Sequence, residues 1–190
     1  TGGLPAGHGI PGNVWYDRTA EREVYCVEDA SVEIVGGPAD KELKVSPRLL
    51  TSTTFGDENR IASGFRAKTI AISAKDRSAI LLGGHTGKAF WYSQKTGLFL
   101  STTYYFPDGK LPKWTADLNA TRPADKYLHQ TWSPLFAPQA YAAPPDDRAF
   151  EIDFKGLGRT FPHQIGKGLE LSPEFYKALT VSPFGSEVLL

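Results

Sequence analysis

Lys75, Asp76 and Arg77 stand together between an apolar, β-prone stretch at 68–73 and a short helix-forming stretch at 78–82. In open α/β sheets, ligands collect at the carboxyl ends of strands. A helix N-terminus at that place adds unpaired backbone N–H groups and a partial positive charge. Lysine brings a compact ammonium, and arginine a planar fork that matches two phosphate oxygens. The triplet therefore suits an oxyanion. It also suits a solvated charged turn, which needs no ligand. The second candidate is the loop His8-Gly9-Ile10-Pro11-Gly12-Asn13-Val14-Trp15-Tyr16-Asp17. Its glycines let backbone approach a ligand closely. Asn13 could donate its amide to an oxyanion, or could serve as a left-handed turn residue.

Other residue types offer less. His8, His85, His129 and His163 are scattered, with no spacing that would gather a metal. His8 and His85 flank the two candidate motifs, where each suits a hydrogen-bonded loop histidine. Cys26 is the only cysteine, so no disulfide can close within these residues, and a half-buried thiol is expected. Trp91, Trp114 and Trp132 are aromatics for a pocket wall or for the core. Asn119-Ala120-Thr121 fits a glycosylation sequon.

The elements around these residues are short. Residues 1–13 read as a Gly- and Pro-rich loop, 23–27 and 32–35 as strands, and Gly36-Gly37-Pro38 as a break. Ser46-Pro47 opens a helical turn through Leu50. Thr54 and Asp57 form an approximate capping box for a helix whose apolar face carries Ile61 and Phe65. Residues 68–73 read as a short buried strand, and 78–82 as a helix closed by Gly83-Gly84. This helix–strand–helix order predicts an α/β fold. A hairpin follows, with strands at 89–93 and 98–105 around a turn at 94–97. Residues 106–148, rich in Pro, Trp and Tyr, read as an irregular insertion or cap that includes the loop Pro144-Pro145-Asp146-Asp147. Ser172-Pro173-Glu174 opens a last helix through Leu179. Residues 183–190 read as the start of another helix with nowhere to bury its apolar face.

Composition bounds the function. With 21 basic and 21 acidic side chains, the formal charge of +0 argues against a nucleic-acid partner. A small phosphorylated substrate needs only local positive charge and stays open. No run of 18 apolar residues occurs to span a membrane. Met is absent, the chain opens inside a Gly-rich loop and it stops on two leucines. The expectation is therefore an internal piece of a longer protein.

The two candidate motifs together resemble those of a known family. The loop 8–17 is similar to the "HGI-x-GN-x-WYD" motif of PafA-like alkaline phosphatases, in the type I phosphodiesterase / nucleotide pyrophosphatase branch. Ser73-Ala74-Lys75-Asp76-Arg77-Ser78-Ala79-Ile80 resembles their "S-x-KDR-x-AI" segment. Tyr25-Cys26-Val27-Glu28-Asp29, Ser46-Pro47-Arg48-Leu49-Leu50, Gly84-His85, Phe90-Trp91-Tyr92 and Leu111-Pro112-Lys113-Trp114 extend the resemblance in order. It implies a partial alkaline-phosphatase-like α/β/α sheet with an aromatic-rich cap. Residues 1–105 would be the phosphate-site part of the core, 106–148 the cap and 149–190 a return toward the core.

The same resemblance implies roles. Asn13, Lys75 and Arg77 would hold the non-bridging oxygens of a transferred phosphoryl group on one shared cavity. The family nucleophile is a threonine upstream of these residues, and Thr1 lies too close to Asn13 to take that place. Two zinc ions would be held by ligands outside this chain, so the segment alone would be inactive. The implied parent is a periplasmic or secreted phosphomonoesterase. Diesterase relatives share the Asn loop but lack the Lys/Arg pair. A diesterase or pyrophosphatase of the same fold, and a noncatalytic aromatic-rich binding module, remain the alternatives.

Overall fold

The computed structural model describes residues 1–141 and 146–190; Pro144 and Pro145 of the expected loop lie outside them. The chain divides into two units. One comprises Thr1–Ser93 with Phe99–Asp117, the other Gln94–Leu98 with Leu118–Leu190.

The first unit opens with α1 (Pro5–His8), β1 (Val14–Asp17) and β2 (Arg22–Tyr25), the two strands forming an antiparallel pair. After them come β3 (Ile34–Val35), α2 (Phe55–Ala62), β4 (Ile70–Ser73), α3 (Asp76–Gly83), β5 (Lys88–Tyr92) and β6 (Phe99–Thr102). The main sheet has the order β3-β6-β5-β4. β4 and β5 run parallel, with Ile70 opposite Lys88 and Ser73 opposite Trp91. Parallel neighbours need a crossover rather than a tight turn. α3 supplies it and packs on both strands. The central strands are largely buried: Ala89, Phe90, Trp91, Tyr92, Phe99 and Leu100 form an apolar core, with Ser101 and Thr102 buried beside them.

Several expectations change. The strand at 68–73 is present at Ile70–Ser73, at one edge of the sheet, but is not buried. Ile70 and Ile72 remain 54% and 43% exposed, beside exposed Phe55 and Leu82. The Gly-rich loop gives way to β1, which the sequence reading missed. Ser46–Leu50 makes a single turn, closed by Leu50 N–H to Pro47 O at 2.9 Å, and no helix. The helix expected at 78–82 starts earlier, so Asp76 and Arg77 lie in its first turn.

The capping box of α2 is complete. Asp57 N donates to Thr54 Oγ1 at 3.2 Å, and Thr54 N to Asp57 Oδ2 at 3.0 Å. The expected Ile61–Phe65 face does not form. The helix ends at Ala62, and Phe65 lies beyond it in left-handed backbone, half exposed. Asp57 is fully buried and serves more than its own helix. It also accepts from His85 N at 3.2 Å, Thr86 N at 2.7 Å and Thr86 Oγ1 at 2.8 Å. Gly84 turns the chain there with φ +66°, and a Cβ on it would run into the Asp57 carboxylate and the Thr54 hydroxyl.

In the second unit, α5 (Pro173–Leu179) follows α4 (Lys113–Ala120, which begins in the first unit), β7 (Thr131–Trp132) and β8 (His163–Gln164). Ser172 Oγ caps α5 by accepting from Phe175 N at 3.3 Å. Phe175, Tyr176, Ala178, Leu179 and Ile165 form the core of this unit. The final segment forms α6 (Pro183–Glu187) and does bury apolar surface, since Phe184 stacks on Tyr127 at 5.2 Å and Val188 is buried.

Asp57 yields a stability prediction. Burial pushes its carboxyl up, but N–H donors from Thr54, Thr86 and His85 and the Thr86 hydroxyl outweigh this and hold it below the usual range. Asp57→Ala strands those buried donors and should cost about 3 kcal/mol in urea unfolding. A depressed folded pKa means the stabilisation is full above pH about 4 and is lost as pH falls through the folded value. The gap between wild type and Asp57→Ala should therefore narrow on acidification, and a gap independent of pH would contradict the assignment.

Candidate functional site

The crossover from β4 to β5 places Lys75 at the carboxyl end of β4, where its backbone caps α3 without a side-chain bond. Lys75 is exposed, and its ammonium has no ion-pair partner among the described residues. Asp76 and Arg77 are half-buried beside it. Asp76 Oδ1 accepts from Arg77 N at 2.6 Å and from the hydroxyl of Tyr25 at 2.7 Å. Arg77 Nη1 in turn donates to the same Tyr25 oxygen at 3.3 Å.

Tyr25 ends β2. Its backbone pairs with Val14 of β1, and the next residue, Cys26, donates its N–H to Asn13 O at 3.0 Å. Tyr25 N donates to Glu28 Oε2 at 2.9 Å, and the other oxygen of Glu28 is paired with Arg22 at 2.5 Å. The β1–β2 ladder thus links the Asn13 loop to the first turn of α3. Asn13 is itself exposed at the start of β1. Asn13 is linked to Arg77 only indirectly, through the Cys26 N–H and the Tyr25 side chain, while Lys75 is exposed.

Cys26 is fully buried rather than half-buried, and burial pushes its thiol up, with Arg77 pulling in the other direction. The partnership of Tyr25 with Asp76 and Arg77, 51 and 52 residues away, had no signal in spacing. A cavity of about 520 Å³ lies along the exposed edge of β4, lined by Phe55, Ile70, Ile72 and Leu82 among others. None of the three candidate residues lines it.

Each histidine has a hydrogen-bond partner. His8 Nδ1 accepts from Ile10 N at 3.2 Å, and His85 Nδ1 meets the Tyr104 hydroxyl at 3.3 Å. His129 and His163 each donate to a carbonyl at 2.9 Å, those of Leu169 and Leu157. Among the described residues no three His, Cys, Asp or Glu side chains gather as a metal site. Trp91 is core, Trp114 packs edge-on to Phe90, and Trp132 packs against Phe161 and His163.

Residues 1–172 match the family described as type I phosphodiesterase / nucleotide pyrophosphatase. The chain belongs to this family. Alkaline phosphatase PhoV of Synechococcus elongatus is 46% identical over 166 residues, which cover 86% of this chain and 30% of PhoV. The crystal structure of the alkaline phosphatase PafA superposes on the whole chain with a TM-score of 0.84 and 32% identity, across 36% of its own length. The chain therefore spans about a third of the length of these relatives, and the α/β fold is that of the matching part of PafA.

A second PafA structure, also matching the whole chain and 36% of its own length at TM-score 0.82 and 31% identity, is a multiple mutant. In it a threonine is replaced by serine, and an asparagine, a lysine and an arginine by alanine. The intervals from that asparagine to the lysine and on to the arginine equal those from Asn13 to Lys75 and Arg77. The threonine stands farther before its asparagine than Thr1 stands before Asn13.

Tyr25 gives this region a pH signature. Burial pushes its phenol up to about 12; the bond from Arg77 lowers it in part and the bond to Asp76 raises it. A raised folded pKa means the stabilisation is full below pH about 10 and is lost as pH rises through the folded value. Burial also raises Tyr104, Tyr105 and Tyr176, so titration of tyrosinate absorbance should show one late-titrating group fewer in Tyr25→Phe than in wild type. Unchanged late titration in that variant would contradict the arrangement.

Proposed function

We propose that the whole protein hydrolyses phosphate monoesters, and that this segment supplies the groups holding the phosphoryl oxygens, Asn13, Lys75 and Arg77. The observation that carries the reading is the fixed guanidinium of Arg77, at the carboxyl end of β4 and the first turn of α3. Phosphoryl transfer needs mostly positioning and charge stabilisation at the non-bridging oxygens. Tyr25 occupies one Nη1 proton, and the other guanidinium nitrogens of Arg77 have no partner among the described residues. They are free for a bidentate grip on two oxygens. The matching intervals in the mutated PafA support placing Asn13 and Lys75 in the same site.

The zinc ions and the threonine nucleophile belong, in this proposal, to parts of the whole protein outside this chain, and a periplasmic or secreted location goes with it. The family description keeps a second reading open, a phosphodiesterase or nucleotide pyrophosphatase. The cation pair favours the monoester, whose dianion places more charge on the non-bridging oxygens than a diester does.

The discriminating measurement is kcat/KM of the whole protein on an aryl phosphate monoester and on a matched diester. Arg77→Ala should lower monoester turnover roughly 30- to 1000-fold, the loss of one charge-assisted contact in a preorganised site. Lys75→Ala, which removes an exposed and flexible ammonium, should lower it about tenfold. Diester turnover should fall far less in both. Equal losses on the two substrates would move the diesterase reading ahead. The 190-residue chain alone should show no turnover above a zinc-only blank. Turnover there would place a nucleophile within it.

A further inference from the structure

We infer that Tyr25 and Asp76 are positioning residues, which aim the guanidinium of Arg77 at the phosphoryl oxygens through one oriented hydroxyl. The inference rests on the function proposed above and goes beyond it, because neither residue would touch substrate.

The direction of the hydrogen bonds is fixed by chemistry. A phenol has one proton and can donate once. Asp76 Oδ1, at 2.7 Å, is a carboxylate oxygen and can only accept, so the Tyr25 proton points to it. The phenol lone pairs are then left for Arg77 Nη1, at 3.3 Å, which can only donate. Each bond fixes the polarity of the other, and the chain Arg77 to Tyr25 to Asp76 has a single sense. Asp76 is pinned in turn by Arg77 N at 2.6 Å. Tyr25 is pinned by its pairing with Val14 and by Glu28. The middle of the chain and its Asp76 end are therefore anchored by backbone contacts, and the guanidinium is held from one corner only.

The chemistry of Asp76 explains why an acid sits between two cations of a proposed anion site. A carboxylate facing the anion would repel it. Here the Tyr25 hydroxyl takes up the bonding oxygen of Asp76 and turns it away from a direct ion pair with Arg77. Burial and the Asp76 carboxylate keep the phenol protonated far into the alkaline range, so the chain persists there. The Tyr25 oxygen also holds Arg77 more firmly protonated.

The test is a set of double-mutant cycles in the whole protein, with an aryl phosphate monoester, a matched diester and inorganic phosphate as competitive inhibitor. Tyr25→Phe keeps the ring. It should lower monoester kcat/KM about tenfold, raise the inhibition constant of phosphate by a similar factor and leave diester turnover within about threefold, as loss of aim at a charge-assisted contact would. In an Arg77→Ala background, Tyr25→Phe should change nothing further. Asp76→Ala should behave like Tyr25→Phe. Asp76→Asn keeps an acceptor oxygen and should recover most of the loss, which holds the test together if Tyr25→Phe folds poorly. If the Tyr25 loss persists undiminished in the Arg77→Ala background, the inference fails while the role of Arg77 stands. It fails in the same way if Asp76→Asn is as damaged as Asp76→Ala. If Arg77→Ala itself spares monoester turnover, both the proposed function and this inference fall.

Discussion

The parallel pairing of β4 with β5 is the constraint from which the rest of the first unit follows. Two parallel neighbours cannot share a tight turn, so the chain must leave the carboxyl end of one and return to the amino end of the other. α3 makes that return in eight residues and packs on both strands as it goes. Its first turn therefore falls at the strand end, which is where Asp76 and Arg77 stand. The triplet owes its position to topology, and its orientation to what packs across from it.

The return also has to close, and Asp57 closes it. Gly84 ends α3 in left-handed backbone, and the following N–H groups of His85 and Thr86 point at the Asp57 carboxylate. The same carboxylate caps α2. One buried anion thus fixes the start of one helix and the exit from another, with every contact coming from a backbone N–H or a threonine hydroxyl. A charge this deeply placed is tolerated because its lone pairs are taken up. Tyr176, in the second unit, repeats the pattern seen at Tyr25: its hydroxyl lies 3.0 Å from Asp125 and 2.6 Å from Arg122. There Arg122 is also paired directly with Asp125 at 2.5 Å, a closed ion pair with its fork engaged. The Tyr25 cluster differs in having no such direct pair among the described residues, so the guanidinium of Arg77 keeps unused donors.

What could be read from the sequence was what local chemistry dictates. The capping box at Thr54 and Asp57, the glycine stop at Gly83-Gly84 and the cap of α5 at Ser172 all follow from residues within a few positions of one another, and all three are present. The colinear motifs carried the family assignment for the same reason, since residue order survives without coordinates. Misreadings came where tertiary context decides. Ile70 and Ile72 have the composition of a buried strand, yet no element of this chain covers their face and they stay exposed among the described residues. Residues 14–17 alternate too weakly to announce β1, which exists because β2 is there to pair with it. Tyr25 is the clearest omission. Tyr25 stands in one of the colinear stretches that carry the resemblance, yet nothing there signals its partners, which lie half a hundred positions away and are brought to it only by the fold.

The contrast between Lys75 and Arg77 has a physical logic of its own. Two residues apart at a helix start, their side chains leave the backbone in different directions, and only Arg77 meets a neighbour that can hold it. A guanidinium is a rigid plane, so fixing one corner fixes the direction of its remaining N–H bonds. An ammonium on a four-carbon stem has no such plane, and anchoring one of its three donors would leave the direction of the others unfixed. In the proposed site, the anchored fork would set geometry, and the free ammonium would follow the charge of the substrate. Asn13, offered from the strand that braces Tyr25, is then tied to the same frame as the fork. A displacement of β2 would move Asn13 and the aim of Arg77 together, which makes that two-stranded ladder the mechanical base of the proposed site.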